Sequence, residues 1–134
     1  PGGFGAAKNL CSFAVDGSDC TVNEDVASFL RTMQGAGKVI GALCITPTLL
    51  ARVFGKETNI SVTIGKDEET AAAINSMGAR HVEECATGVV VDEEHLVVTT
   101  PAYMLAGSIS EVFDGISSLV AKVLDLTTRV NQQP

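Results

Sequence analysis

The chain is poor in basic residues and has no run of them. Nine Lys and Arg stand against sixteen Asp and Glu, a formal net charge of −7. Phosphate backbones are held by clustered cations, so this balance argues against a nucleic-acid partner. Long apolar runs are missing as well. The apolar stretch Val39 to Ala51 is broken by Thr46 and Pro47 and is too short to cross a bilayer, which argues against a membrane partner. The N-terminus is glycine-rich and lacks the basic-then-apolar order of a secretory signal. Histidine is scarce (His81 and His95), and no two of the four cysteines (Cys11, Cys20, Cys44, Cys85) are spaced C-x-x-C, so no metal site is expected. With 46% hydrophobic residues the chain can build a core without disulfide staples. The cysteines therefore read as reduced and the compartment as intracellular.

What is present alternates strands with amphipathic helices over 134 residues, a one-domain length. Pro1-Gly2-Gly3-Phe4-Gly5 is a turn of the kind that follows a strand. With no initiator Met before it, it reads as the start of a processed chain or a fragment. Ala6 to Leu10 predicts a short helix and Val15 to Asp19 a loop. Thr21 and Glu24 read as a capping box for a helix with Val22, Val26, Phe29, Leu30 and Met33 on one face, stopped by Gly35 and Gly37. Lys38 to Leu43 predicts a buried strand, apolar on both faces, that runs directly into Cys44. Thr46 then reads as an N-cap and Pro47 as the first helical residue. Ile60 to Ile64 predicts a second strand, and Asp67 caps a helix through Met77 that Gly78 ends.

His81 to Glu84 predicts a short strand, and Gly88 to Val91 with Leu96 to Thr99 a hairpin. At its tip, Asp92 to His95, the histidine reads as solvated. Ser108 and Glu111 form a second capping box. It opens a helix whose stripe is Ile109, Val112, Phe113, Ile116, Leu119, Val120, Val123 and Leu124, with a frayed tail from Thr127. Such alternation implies a parallel sheet covered on both sides, an α/β fold.

Cys44 is the residue this pattern singles out. It lies between a buried strand and a helix, at the carboxyl edge of the sheet, where open α/β folds bind ligands. A following helix N-terminus stabilises negative charge and so favours the thiolate. The strand–nucleophile–helix turn is the hydrolase elbow with sulfur in place of oxygen. An inert, buried cysteine is the competing reading. Backbone N–H groups of Gly3 and of Ile45 could point at a developing oxyanion. Gly2, Phe4, Asn9, Thr100 and Tyr103 are candidates to line the pocket, although Tyr103 could equally pack at a sheet edge. Gly3 to Lys8 half matches a dinucleotide fingerprint, but lysine fills the third position, where helix–strand packing wants Gly or Ala.

Three stretches carry a resemblance: 1–10 (PGGFGAAKNL), 41–47 (GALCITP) and 97–104 (VVTTPAYM). Together they resemble the ElbB-type glyoxalases, bacterial ElbB and its animal mitochondrial homologues. These form part of the ThiJ/PfpI branch of the class I glutamine amidotransferase-like superfamily. Residues 62–65 and 77–82 fit as well. The resemblance implies a flavodoxin-like three-layer sandwich with a mainly parallel sheet, usually a homodimer. Here the sheet would lack its N-terminal βα units, so that 1–134 forms the C-terminal part of a single domain.

The resemblance also implies that Cys44 is the nucleophile and that its glutamate partner lies upstream of Pro1. Many superfamily members carry a histidine after the strand that follows the elbow. Here Ile64-Gly65-Lys66-Asp67 has none, which speaks against a glutamine-hydrolysing triad. The implied activity is a glyoxalase, or a protein deglycase, acting on small aldehydes without cofactor or metal. The compartment would be mitochondrial in an animal and cytoplasmic in a bacterium. A redox-sensing or chaperone-like member, in which Cys44 oxidises without turnover, is the alternative.

Overall fold

The structure, a computed structural model, describes residues 3–133. The elements run α1 (Phe4–Leu10), α2 (Phe13–Asp16), α3 (Glu24–Gly35), β1 (Ile40–Leu43), α4 (Thr46–Thr58), β2 (Ser61–Val62), α5 (Glu68–Ser76), β3 (Arg80–His81), β4 (Val90–Asp92), β5 (Val97–Thr100) and α6 (Ile109–Gln132). Short 3-10 turns cover Gly17–Asp19 and Ala102–Met104. β1 pairs in parallel with β5, from Ile40 opposite Val97 to Leu43 opposite Thr100. β4 closes antiparallel on the other edge of β5, and β2 and β3 form a separate parallel pair.

Three layers result. Side chains alternate across a strand, so Val97 of β5 joins Ala42, Leu49, Leu50, Val53 and Phe54 on the α4 side. Val98 joins Leu119 and Leu126 on the α6 side. All four β5 residues are buried, whereas β1 is only partly covered. This corrects the expectation that Lys38 to Leu43 is the strand buried on both faces. Among the described residues β1 pairs with β5 alone, and β5 takes the central place.

The two sheets are joined by side chains rather than by a ladder. Ser61 N–H donates to Asp92 Oδ2 (2.8 Å) and Thr63 N–H to Thr99 Oγ1 (2.9 Å). Asp92 also holds His95, whose Nδ1 lies 3.0 Å from both of its oxygens. His95 is thus a partly buried partner of the hairpin and not the solvated residue its position suggested. Burial would raise the Asp92 carboxyl, but the bonds from Ser61 and His95 outweigh it and hold the carboxyl below its usual range.

Several local expectations shift for identifiable reasons. Asn23, not Thr21, caps α3, accepting from the N–H groups of Asp25 and Val26. Thr21 is instead tied to Ser12 through its own N–H. Residues 13–19 are helical turns, not a loop. The strand expected over 60–64 shortens to two ladder residues, although Ile60 and Ile64 are fully buried. The strand expected over 81–84 begins at Arg80 and ends at His81.

Asp67 caps α5 as expected, accepting from Thr70 N–H. Ser108 caps α6 through Glu111 N–H, but Glu111 returns its bond to Gly107 rather than Ser108. The tail from Thr127 continues the helix to Gln132. Leu126 is buried, and Arg129 bonds Glu93 (3.1 Å) and Asp125 (3.3 Å). The α6 stripe is wider than the sheet face it covers. Val112 and Leu119 are buried, while Ile109, Phe113, Val120 and Leu124, about 100° further round the helix, are exposed, as is Phe29 of α3.

α4 and the turn after α5 meet at two glycines. A Cβ on Gly55 would lie 2.5 Å from Met77 O and 2.8 Å from Ala79 N, and Gly78 itself has φ +95. Gly55→Ala should therefore cost about 1–3 kcal/mol, the usual cost of overpacking, measured as a loss of chemical-denaturation stability in the full-length protein.

A pH dependence follows from His81. Its Nε2 accepts Ile64 N–H at 3.2 Å, which requires the neutral ring. Burial holds the imidazole below its ordinary range, with Glu83 opposing. The folded protein thus binds this proton less readily than the unfolded chain. The contribution of His81 is complete above about pH 6.5 and is lost as pH falls below that value. The Asp92 contribution persists until about pH 4 and then fades. His81→Gln should flatten the stability profile between about pH 6.5 and 5 and leave the steeper acid limb in place, as read by thermal melts across pH.

Candidate functional site

The site begins with the register of β1. Because Leu43 sits opposite Thr100, the next residue, Cys44, arrives at the carboxyl end of the sheet with its N–H donating to Thr100 O (3.2 Å). The chain then reverses. Cys44 has φ +62, a left-handed conformation that costs an L-residue roughly 1–2 kcal/mol. Ile45 (φ −88, ψ −15) is the N-cap of α4, so Thr46 and Pro47 are its first two residues. The reversal at Cys44 lets the helix begin one residue earlier than the Thr46-Pro47 pair suggested. Thr48, fully buried, fastens the turn: its N–H (3.0 Å) and its hydroxyl (2.7 Å) both donate to Ile45 O.

The Cys44 side chain is buried and lies in an apolar bed of Ala102 and Val112, flanked by Leu43, Met104, Ala106 and Ile116. Ala102 is itself at φ +47. Two strained non-glycine residues thus pack together at one sheet edge, a concentration of strain typical of functional sites. α6 comes close at Gly115, where a Cβ would lie 2.6 Å from Ala86 O and 3.2 Å from Thr100 Oγ1. Among the described residues no side chain hydrogen-bonds the Cys44 sulfur, and no group of three or more His, Cys, Asp or Glu could hold a metal.

The other expected site residues divide. Ile45 and Thr100 adjoin Cys44 through the backbone, and the Thr100 hydroxyl donates to Gly88 O (2.6 Å). Tyr103 follows Ala102 but is 64% exposed and outside the cluster around the sulfur. Gly3 is the extended N-cap of α1, and Phe4, its first residue, is about half exposed. Asn9 donates to Gly5 O and lines a cleft whose walls do not include Cys44. Gly2 lies outside the described residues. Sequence reasoning missed Ala102, Ala106, Val112 and Ile116 as the bed of the sulfur. Only Val112 and Ile116 carried a signal, the helical stripe.

No family model matches the chain. Over 136 residues it is 45% identical to the ES1 protein homolog, mitochondrial, of Rattus norvegicus. Identity is also 45% to the glutamine amidotransferase-like class 1 domain-containing protein 3, mitochondrial, of Homo sapiens; each alignment covers 95% of this chain and 50% of the relative. It is 33% identical over 143 residues to the ES1 protein, mitochondrial, of Danio rerio, covering 96% of this chain and 52% of that protein. The chain thus spans about half the length of the curated relatives it matches. Among solved structures it superimposes on an isoprenoid biosynthesis protein with amidotransferase-like domain from Ehrlichia chaffeensis, with a TM-score of 0.84 and 29% identity over 95% of this chain and 57% of that one.

The strain at Cys44 can be measured without reference to its chemistry. Cys44→Gly and Cys44→Ala both remove the sulfur, but only glycine adopts φ +62 at no steric cost. The glycine variant of the full-length protein should be the more stable by about 1 kcal/mol, read by denaturant titration. Equal stabilities would mean that the turn is relaxed.

Proposed function

The chain belongs to the class I glutamine amidotransferase-like superfamily, and we propose that it carries the nucleophile of a cofactor-independent glyoxalase. The observation that carries this reading is the backbone at Cys44, a φ of +62 between β1 and the N-terminus of α4. That geometry places the cysteine at the sheet edge directly before the N-terminus of α4, the arrangement of a nucleophile elbow. In the proposed reaction the thiolate adds to one aldehyde carbon of glyoxal. A C–S bond forms, and the carbonyl electron pair moves to oxygen, which takes a proton. The C–H proton of the hemithioacetal leaves, and its electron pair forms the C=C bond of an enediol as the second carbonyl oxygen takes a proton. A proton then returns at the neighbouring carbon while the hydroxyl on the sulfur-bearing carbon gives up its proton to restore a C=O. Water then adds to the glycolyl thioester carbonyl: a C–O bond forms, the C–S bond breaks, the Cys44 thiol is restored and glycolate departs. The oxyanion of each addition would lie near the N–H of Ile45, with Gly3 as the second donor.

Glutamine hydrolysis fits less well. Residues 64–67 hold no histidine, and both rings in the chain are engaged: His81 accepts from Ile64 N–H and His95 bonds Asp92. The proton shuttle then falls to a carboxylate outside these 134 residues, within a single domain of which this chain is the C-terminal part. In the same reading the protein is a homodimer. Its compartment follows the rat, human and zebrafish relatives, whose names are mitochondrial, if the source is an animal.

The test is turnover of glyoxal by the full-length protein. Cys44→Ala should lower kcat by at least about 10³-fold, and a chelator should leave the wild-type rate unchanged. Brief iodoacetamide treatment should label Cys44 ahead of Cys85, although Cys85 is the exposed thiol. Absent turnover, with peroxide adding oxygen to Cys44, would replace this reading with redox sensing.

A further inference from the structure

The positive charge of this acidic chain is not spread evenly. Four of its nine Lys and Arg, but only two of its sixteen Asp and Glu, line one cleft of ≈ 1330 Å³. The cations come from three helices: Lys8 from α1, Arg31 from α3, and Arg52 and Lys56 from α4. The carboxylates are Glu24 and Glu57. Arg31 donates to Val53 O (3.3 Å) and approaches Glu57 only to 3.9 Å, with both side chains more than half exposed. Lys8, Arg52 and Lys56 have no ion-pair partner among the described residues.

Lys56 sits in the last turn of α4, where the helix dipole favours a cation. Arg52 has no such reason. It stands mid-helix, only partly exposed and one turn from Lys56, a like-charge spacing that is unfavourable by itself. Guanidinium groups from facing helices suit an oxyanion with several acceptor oxygens.

We propose that the cleft between α1, α3 and α4 binds a phosphate-bearing anion of more than one charge, with Arg52 and Lys56 as its principal contacts and Arg31 and Lys8 closing over it. A monoanion would be matched by one of these side chains and would leave the others repelling. A nucleic acid is excluded by the acidic remainder of the surface. Cys44 does not line this cleft, so the proposal stands or falls independently of the glyoxalase reading.

The experiment is calorimetric titration of the full-length protein with pyrophosphate, inorganic phosphate and glycerol 3-phosphate in low-salt buffer, with sodium chloride at matched ionic strength as the blank. Saturable pyrophosphate binding is expected, weaker for the two less highly charged probes and weakened further by added salt. Tighter binding of glycerol 3-phosphate than of phosphate would point to an organic phosphate as the natural occupant. The double variant Arg52→Gln, Lys56→Gln should lose about tenfold or more in affinity. The single variant Lys8→Gln, at an exposed position that does not challenge folding, should lose a smaller factor. Lys122→Gln on α6 should change nothing. No saturable binding, or an affinity unchanged in both cleft variants, would overturn the proposal.

Discussion

Everything at Cys44 depends on the pairing of β1 with β5. Among the described residues β5 is the one strand buried along its whole length, and its side chains divide between the two helical layers. Val97 packs toward α4, Val98 toward α6, and each such burial is worth about 1.5–3 kcal/mol. Its polar groups are engaged as well. Thr99 Oγ1 accepts from Thr63 N–H, Thr100 Oγ1 reaches Gly88 O, and Thr100 O receives the Cys44 amide. A slip of one residue in the β1–β5 register would turn Ala42 and Leu43 to the wrong layers. It would also carry Cys44 away from the bed of Ala102 and Val112. The geometry at Cys44 is therefore a consequence of core packing, not of any hydrogen bond that the cysteine makes through its sulfur.

The strain at the turn is held by the same core. A left-handed cysteine persists only where its surroundings over-determine it. Here the amide of Cys44 is fixed from behind by Thr100, while Ile45 O is fixed from ahead by two bonds from Thr48. The buried run from Pro47 to Ala51 anchors the first turns of α4. Relaxing φ at Cys44 would mean lifting these residues out of the core, a larger cost than the roughly 1–2 kcal/mol of strain. Ala102, at φ +47 and fully buried, is held in the same manner where the chain leaves β5.

Much of this could be read from residues alone, because it rests on local chemistry. The strand before Cys44 and the helix after it, the Asp67 and Ser108 caps and the hairpin from Val90 to Thr100 all depend on neighbours within a few positions. What could not be read depends on distant partners. Asn23 caps α3 because Thr21 is already committed to Ser12 across a loop. The helix runs past Thr127 because Arg129 finds Glu93, thirty-six residues away. His95 does stand at the hairpin tip, but it is held rather than solvated, because Asp92 binds it and Ser61 together. Nothing in the sequence marks Ala102 for a positive φ, since alanine carries no propensity for it. The site was legible as one residue, Cys44, and its bed was not, because the bed is assembled from β1, the turn after β5 and α6.

α4 connects the two regions of chemical interest without making them one. Its N-terminus presents Cys44, while Arg52 and Lys56 project from its later turns into the basic cleft. Between them the helix is clamped: Leu49, Leu50, Val53 and Phe54 are buried, and Gly55 touches the backbone at Met77 and Ala79. A helix held this closely has no second packing to switch into. Coupling between sites requires an element with two arrangements that each ligand biases differently, and α4 offers one. An anion in the cleft would neutralise Arg52 and Lys56 locally and leave the turn at Cys44 where Thr48 and Thr100 put it. The fold thus separates the strained Cys44 at the sheet edge from the basic cleft, and the packing that maintains the turn at Cys44 is what would keep the two independent.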